Sequence, residues 1–270
     1  MQGSRRLALA AVVLALATAA GCSGLGGNST SGYGVAGPEL TGERLTGTTA
    51  SAVTEAGSYT LSSSVTLTRD RNGTVAASTS NVTTRVDFDA RRGLRRTTAS
   101  GDTLAPNLSV VYTADNRSYL RQRVRGTVTY DSQRGPGNGA DSIRPVSFTG
   151  LSQNFTTPVD AFRWERNGTT TLDGTTVTRY TVVGVANNVS LTGRADRAPE
   201  RAAGTLLVDG DGVVRELAVT YTVTIDGEQR SYDGTIRLDD LGSTSVTEPD
   251  WLGAAPQPRL FHEHDSDRNL

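Results

Sequence analysis

The stretch SYTLSSSVTLTRDRNGTVAASTSNVTTRVDFD, residues 58–89, decides the fold. Tyr59, Leu61, Val65 and Leu67 recur with a period of two, and Thr60, Thr66 and Thr68 fall between them. Successive side chains of a strand point to opposite faces, so this alternation predicts a half-buried strand and not a helix. Asn72-Gly73 then supplies the two residues that a tight hairpin turn prefers. The chain returns through Val82, Thr84, Val86 and Phe88 as the partner strand.

The pattern repeats downstream. Strand-like runs cover residues 94–100, 108–113, 118–130, 175–183, 204–208, 213–225 and 230–238. Asp173-Gly174, Asp209-Gly210, Asp226-Gly227 and Asp233-Gly234 are hairpin-type or bulge-type dipeptides that punctuate them, and Asn167-Gly168 is a strong hairpin signal. Upstream, residues 39–56 are the best helix candidate. Leu40, Leu45, Ala50, Ala52, Val53 and Ala56 give it an apolar side, and Gly57 follows as a stop. The middle of the chain breaks the strand pattern. Residues 131–147 read as a long surface loop, and residues 148–164 as one or two short helices carrying Leu151, Phe155, Val159, Phe162 and Trp164. The predicted class is therefore mainly β (a β-rich α+β fold): a long antiparallel meander, an N-terminal helix and a short central helical insert.

The first residues set a location. Arg5-Arg6 precede an unbroken apolar run, Leu7 to Ala20, and Gly21-Cys22 close it. Fourteen helical residues span about 21 Å, short of a bilayer core of roughly 30 Å, so the segment predicts a secretory signal over 1–21. Ala19-Ala20-Gly21 before the only cysteine resembles a lipobox, with Cys22 the lipidation point and new N-terminus. Arg5-Arg6 also resembles a twin-arginine export signal, the general export route being the alternative. Residues 22–38 then form a lipidated start and a Gly/Ser-rich tether of roughly 20 to 25 Å root-mean-square reach. Residues 39–252 form one antiparallel β domain, and 253–270 a disordered tail.

Composition narrows the function. The net charge of −1 over 270 residues lacks the basic face that nucleic acid binding requires. All 27 basic residues are Arg, and Ser plus Thr make up about 23% of the chain, a composition that suggests a GC-rich genome and, first, a halophilic archaeon. Eight of the eleven Asn residues stand in Asn-x-Ser/Thr: Asn28, Asn72, Asn81, Asn107, Asn116, Asn154, Asn167 and Asn188. Chance placement gives roughly two to three, so the excess points to an exported, glycan-bearing surface protein, against which stands ordinary turn and strand chemistry. Asn72 and Asn167 are expected at exposed hairpin tips.

Candidate chemistry is sparse. The only histidines, His262 and His264, lie in the tail, there is no Lys, and Cys22 is taken by lipid, so nucleophilic and acid–base catalysis lack their usual groups. The chain reads as a non-enzyme with no cofactor. His262-Glu263-His264-Asp265 with Asp267 has metal-ligand residue types but reads as a solvated end. Asp209-Gly210-Asp211-Gly212 begins like a calcium loop and fails at Val213 and Thr220, so a tight turn accounts for it. Arg121, Arg123 and Arg125 alternate along one strand, and Arg91, Arg92, Arg95 and Arg96 form a second group. Such guanidinium groups suit anionic headgroups or acidic glycans, or simply a solvent-facing strand in a lysine-free chain.

Taken in order, the lipobox, the tether, the helix, SYTLSSSVTLTRDRNGT at 58–74, GTLLVDGDGVVRELAVTYTV at 204–223 and STSVTEPDW at 243–251 are similar to a haloarchaeal family of exported lipoproteins of unknown function. In fold the arrangement resembles the LolA-like lipoprotein carriers and the mycobacterial LppX/LprG-type lipoproteins. That resemblance implies a curved half-barrel sheet whose concave apolar side holds acyl chains beneath helices. It carries over no site residues. Inward candidates are Leu61, Val65, Leu67, Val82, Val86 and Phe88. The helix and residues 148–164 offer few large side chains to cover so much sheet, which leaves room for a lipid or other apolar ligand. The expected protein is a monomeric, membrane-anchored binding module. The alternative is a glycosylated envelope protein whose sheet face is an ordinary packed core.

Overall fold

The strand opening at Ser58 lies in the middle of the sheet, not at its edge. The computed structural model describes residues 40–102, 104–134, 159–186 and 199–256. Its strands are β1 (Ser58–Arg71), β2 (Thr74–Asp87), β3 (Arg92–Gly101), β4 (Leu104–Ala114), β5 (Arg117–Val124), β6 (Thr127–Arg134), β7 (Phe162–Leu172), β8 (Thr175–Val185), β9 (Arg201–Asp209), β10 (Val214–Ile225) and β11 (Glu228–Asp239). They form one antiparallel sheet in the order β6-β5-β4-β3-β2-β1-β11-β10-β9-β8-β7. Two meanders are thus zipped together where β1 meets β11, Leu61 facing Leu238 and Leu67 facing Tyr232. The two edges, β6 and β7, are consecutive in sequence, and the curved sheet stays unclosed.

The helix α1 (Gly42–Glu55) forms as expected, three residues shorter at its start and one at its end. Thr41 caps it, its side chain accepting from the Arg44 N–H, and Gly57 at φ 75° ends it. Leu45, Thr49 and Val53 recur at a spacing of four and are all 0% exposed, so one stripe of the helix packs on β1 and β10. Leu45 and Val53 join Tyr59, Leu61, Val86, Leu206, Val214, Leu217 and Leu238 in the main core. Asp160 Oδ1 accepts from the Gly42 N–H at 2.6 Å, which places an anion at the positive end of the helix.

The opposite face has its own cover. After β11 the chain crosses the sheet as an irregular strap, pinned by a 2.9 Å hydroxyl–hydroxyl bond between buried Thr60 and Thr244. The strap then lays Val246, Trp251 and Ala255 on Tyr112, Leu94, Val110, Tyr119 and Tyr130. It is held at its end by Ser132 Oγ donating to the Pro256 carbonyl at 2.6 Å.

Five expectations are corrected. Residues 118–130 are not one strand: Arg125 and Gly126, at φ 50° and 86°, turn the chain between β5 and β6. Residues 131–134 belong to β6 and not to a loop. Of the expected helical insert, residues 159–161 make a helical turn, but Phe162 and Trp164 begin β7, and residues 148–158 lie outside the described residues. Asn167-Gly168 is a bulge inside β7, where pairing slips between Arg166 and Thr169, and Asp233-Gly234 is neither turn nor bulge but pairs in register with Thr66 and Val65. Asp173-Gly174, Asp209-Gly210 and Asp226-Gly227 do sit in turns.

Candidate functional site

Pairing places the side chains of opposite residues on one face, so the register maps the helix side of the sheet row by row. Under α1 lie Tyr59 with Val86, then Leu61 with Leu238. The next row runs Val82, Ser63, Ile236, Leu217, Leu206 and Tyr180 across β2 to β8. Past it comes Val65, Gly234, Val219 and Gly204, and then Leu67, Tyr232, Tyr221 and Ala202. The glycines matter. Two valines alternate with two residues lacking side chains, so this row is a trough between taller neighbours. A Cβ on Gly204 would stand 3.0 Å from Val219 Cγ1 and 3.1 Å from Val182 Cγ2, whereas one on Gly234 meets Val65 Cγ2 at an ordinary 3.8 Å. From β1 to β9 the trough crosses three strand spacings, about 14 Å.

Its far wall is aromatic. Tyr221 and Tyr232 stack with centroids 4.6 Å apart and planes at 13°. Phe162 closes on Tyr221 at 6.1 Å and meets Trp164 edge-on at 6.2 Å. Trp164 is itself fixed by its indole N–H donating to the Val159 carbonyl at 2.9 Å. Phe162 is on β7 and Tyr221 on β10, three spacings or about 14 Å apart in a flat sheet. Their contact requires the sheet to curl toward the helix side, which makes this the concave face. Burial raises the Tyr221 phenol well above its usual range, and the neighbouring Tyr232 adds to the effect.

The inward candidates divide along this map. Leu61 and Val86 are spent in the packed core, 5% and 1% exposed, and Phe88 packs on Tyr59 at 6.2 Å. Val65 is 40% exposed, and Leu67 and Val82 are half-buried, so these three line the open part of the wall. Beyond β2 the concave face turns polar through Arg95, Thr97, Ser109, Gln122 and Asp131. A pocket there, between Val111, Leu120, Asp131 and Gln133, holds about 130 Å³. That is below the several hundred Å³ of a ligand cavity. The trough and its glycines were not legible, because Gly234 follows Asp233 and reads as turn chemistry.

The remaining candidates scatter. Asn72 is exposed in the β1–β2 turn and Asn81 is exposed on β2. Asn167 is exposed but in the β7 bulge, not at a hairpin tip, and its carbonyl accepts from Arg179 Nε at 3.2 Å. Asn116 sits half-buried in the β4–β5 turn, and half-buried Asn107 has a buried Oδ1 without a partner among the described residues. Cys22, Asn28, Asn154, Asn188, His262, His264 and their neighbours lie outside the described residues. Arg125 leaves its expected strand face for a turn; of the second group Arg91 lies in a turn, Arg95 points to the concave side and Arg92 and Arg96 to the convex side. At Asp209 the carboxylate accepts from the N–H groups of Asp211 and Val213 at 3.1 and 3.0 Å, so it closes a tight turn. Among the described residues no cluster of three His, Cys, Asp or Glu could hold a metal, and no helix is long and apolar enough to cross a membrane.

A family model described as "Family of unknown function (DUF7537)" matches residues 6–255. The chain belongs to this family. No curated protein matches it in sequence. Among solved structures it is similar to the Mycobacterium tuberculosis lipoprotein LppX, at 12% identity and TM-score 0.36, over 76% of this chain and 99% of that one. A putative outer membrane lipoprotein-sorting protein domain from Vibrio parahaemolyticus gives 9% identity and TM-score 0.25, over 79% and 98% of the two chains. A DUF1329 family protein from Desulfovibrio piger gives 11% and 0.26, over 78% and 97%.

Proposed function

We propose that the protein is a non-catalytic lipoprotein, anchored outside the cell membrane through Cys22, that binds a lipid or other apolar molecule along the concave face of its sheet. One observation carries this reading. The trough Val65–Gly234–Val219–Gly204 has an apolar floor and an aromatic far wall, and Val65 stands 40% exposed at its open end. Water against such a surface is unfavourable by about 25 cal/mol per Å², and a bound acyl chain removes that cost. The raised phenol of Tyr221 fits an apolar wall, since it stays neutral.

The test is native mass spectrometry of protein extracted from its own membrane. The expected spectrum shows a covalent lipid increment that is absent from Cys22→Ser, plus a second, dissociable lipid. Polypeptide with covalent groups alone would leave the envelope-protein reading, which the exposed sequons Asn72, Asn81 and Asn167 favour. Glycans are expected at Asn72 and Asn167 before Asn107, whose amide is half-buried; glycopeptide mapping checks the order.

A further inference from the structure

The convex face carries a charge pattern that the trough does not use. Register lays two rows across β2 to β6 on this side: Thr83, Arg96, Val110, Arg121, Tyr130, and then Asn81, Thr98, Leu108, Arg123, Val128. Three of these positions are arginine and none is acidic. Arg96 and Arg123 are exposed, and among the described residues none of the three pairs with a carboxylate. Arg121 Nε is buried without an acceptor among the described residues, although a guanidinium donor normally finds one. The acidic strap residue Glu248 acts on Tyr112, in the neighbouring row. The three guanidinium groups of the two rows are thus left without a carboxylate partner among the described residues.

The side chains between the arginines favour one kind of anion. Leu108 is half-buried and Val128 is 37% exposed beside Arg123, while Tyr130 is covered by Trp251 of the strap. Basic groups interleaved with aliphatic side chains match the boundary between lipid headgroups and acyl chains. A soluble acidic polysaccharide would gain nothing from the apolar members. A tether of roughly 20 to 25 Å would keep this face near headgroups, so that modest contacts suffice.

We propose that this face docks on an anionic lipid surface, Arg96, Arg121 and Arg123 contacting headgroup phosphates and Val128 resting at the acyl boundary. Docking so would turn the concave trough away from the bilayer plane and leave it open to a donor or acceptor of its ligand. The proposal rests on the anchored placement given above.

The experiment measures binding of the full chain to vesicles of phosphatidylcholine alone and of phosphatidylcholine mixed with phosphatidylglycerol. The apolar leader contributes to both, so the difference between vesicles reports charge. Wild type is expected to prefer the anionic vesicles, and Arg96→Gln/Arg121→Gln/Arg123→Gln to lose on the order of 100-fold of that preference. The lysine triple at the same positions should keep most of it. An unchanged preference in the glutamine triple overturns the proposal, as does equal loss in the lysine triple, which would mark damage to the fold. Displacement of wild type from vesicles by a soluble sulfated polysaccharide at equal charge also overturns it. Cys22→Ser should leave the vesicle preference intact, so an error in the anchor reading appears at Cys22 and an error here appears at the arginines.

Discussion

Thr49 Oγ1 accepts a hydrogen bond from the Val214 N–H at 3.0 Å, and the two residues lie 165 positions apart in a buried site. One hydroxyl on α1 thus satisfies the backbone at the start of β10, where pairing with β9 slips between Val214 and Glu216 and the ladder leaves a donor over. Thr49→Val keeps the volume and removes the acceptor. The expected cost is about 1 to 3 kcal/mol, the range for an orphaned buried polar group, measured by urea denaturation. Thr49→Ser should recover most of it; a valine variant as stable as wild type would show that the bond contributes nothing.

Trp251 holds the strap against the convex face. It is 9% exposed and its ring lies 6.1 Å from that of Tyr130. Trp251→Ala removes the largest side chain of the second core and is expected to cost about 3 to 5 kcal/mol. Only two tryptophans exist, so in a Trp164→Phe background the emission of Trp251 reports strap release directly. If the strap forms a separate unit, that emission shifts at lower denaturant than the far-ultraviolet circular dichroism of the sheet.

What the sequence revealed follows from how each strand is solvated. β1 and β2 were legible because one face is buried and the other is not, so period-two alternation is sharp, and Asn72 adopts the φ of 54° that its turn signal implies. β7 was not legible: it is an edge strand, exposed on most of its length, with a bulge at Asn167-Gly168, so burial imposes no alternation on it. The turn at Arg125-Gly126 escaped because arginine rarely takes a positive φ. The strap STSVTEPDW has no periodicity at all, since it packs through isolated residues. The candidate site was half legible. Val65 and Leu67 were marked as inward, but the division between core and open wall depends on where α1 ends, and Phe162 reaches Tyr221 only through the curl of the sheet.

Alkaline stability is expected to depend on Tyr221. Burial raises its folded pKa above the ordinary value of about 10, so the folded state keeps a proton that the unfolded chain releases. The sign follows: the stabilisation is fully present below about pH 10 and is lost as pH rises through the window above it. Tyr112, also raised by burial and opposed by Arg92, acts in the same direction. Tyr221→Phe should therefore flatten the decline above pH 10, read as denaturation midpoints over an alkaline series. An identical decline in the variant would place the titration elsewhere.

Gly234 separates ligand binding from folding. It sits in the trough opposite Val65 in regular strand geometry, and a Cβ there meets Val65 Cγ2 at 3.8 Å, an ordinary contact. Gly234→Val should therefore fold, since valine suits a strand better than glycine and loses less conformational entropy on folding. Its methyl groups nevertheless fill the floor between Val65 and Val219. The expected outcome is a thermal midpoint at or above that of wild type, together with loss of the dissociable lipid in native mass spectra. Gly204→Val would be a poor substitute, because a Cβ there comes within 2.7 Å of the Ala218 carbonyl and the backbone would have to move. Retention of lipid by a stable Gly234→Val variant would show that the trough is not where the ligand lies.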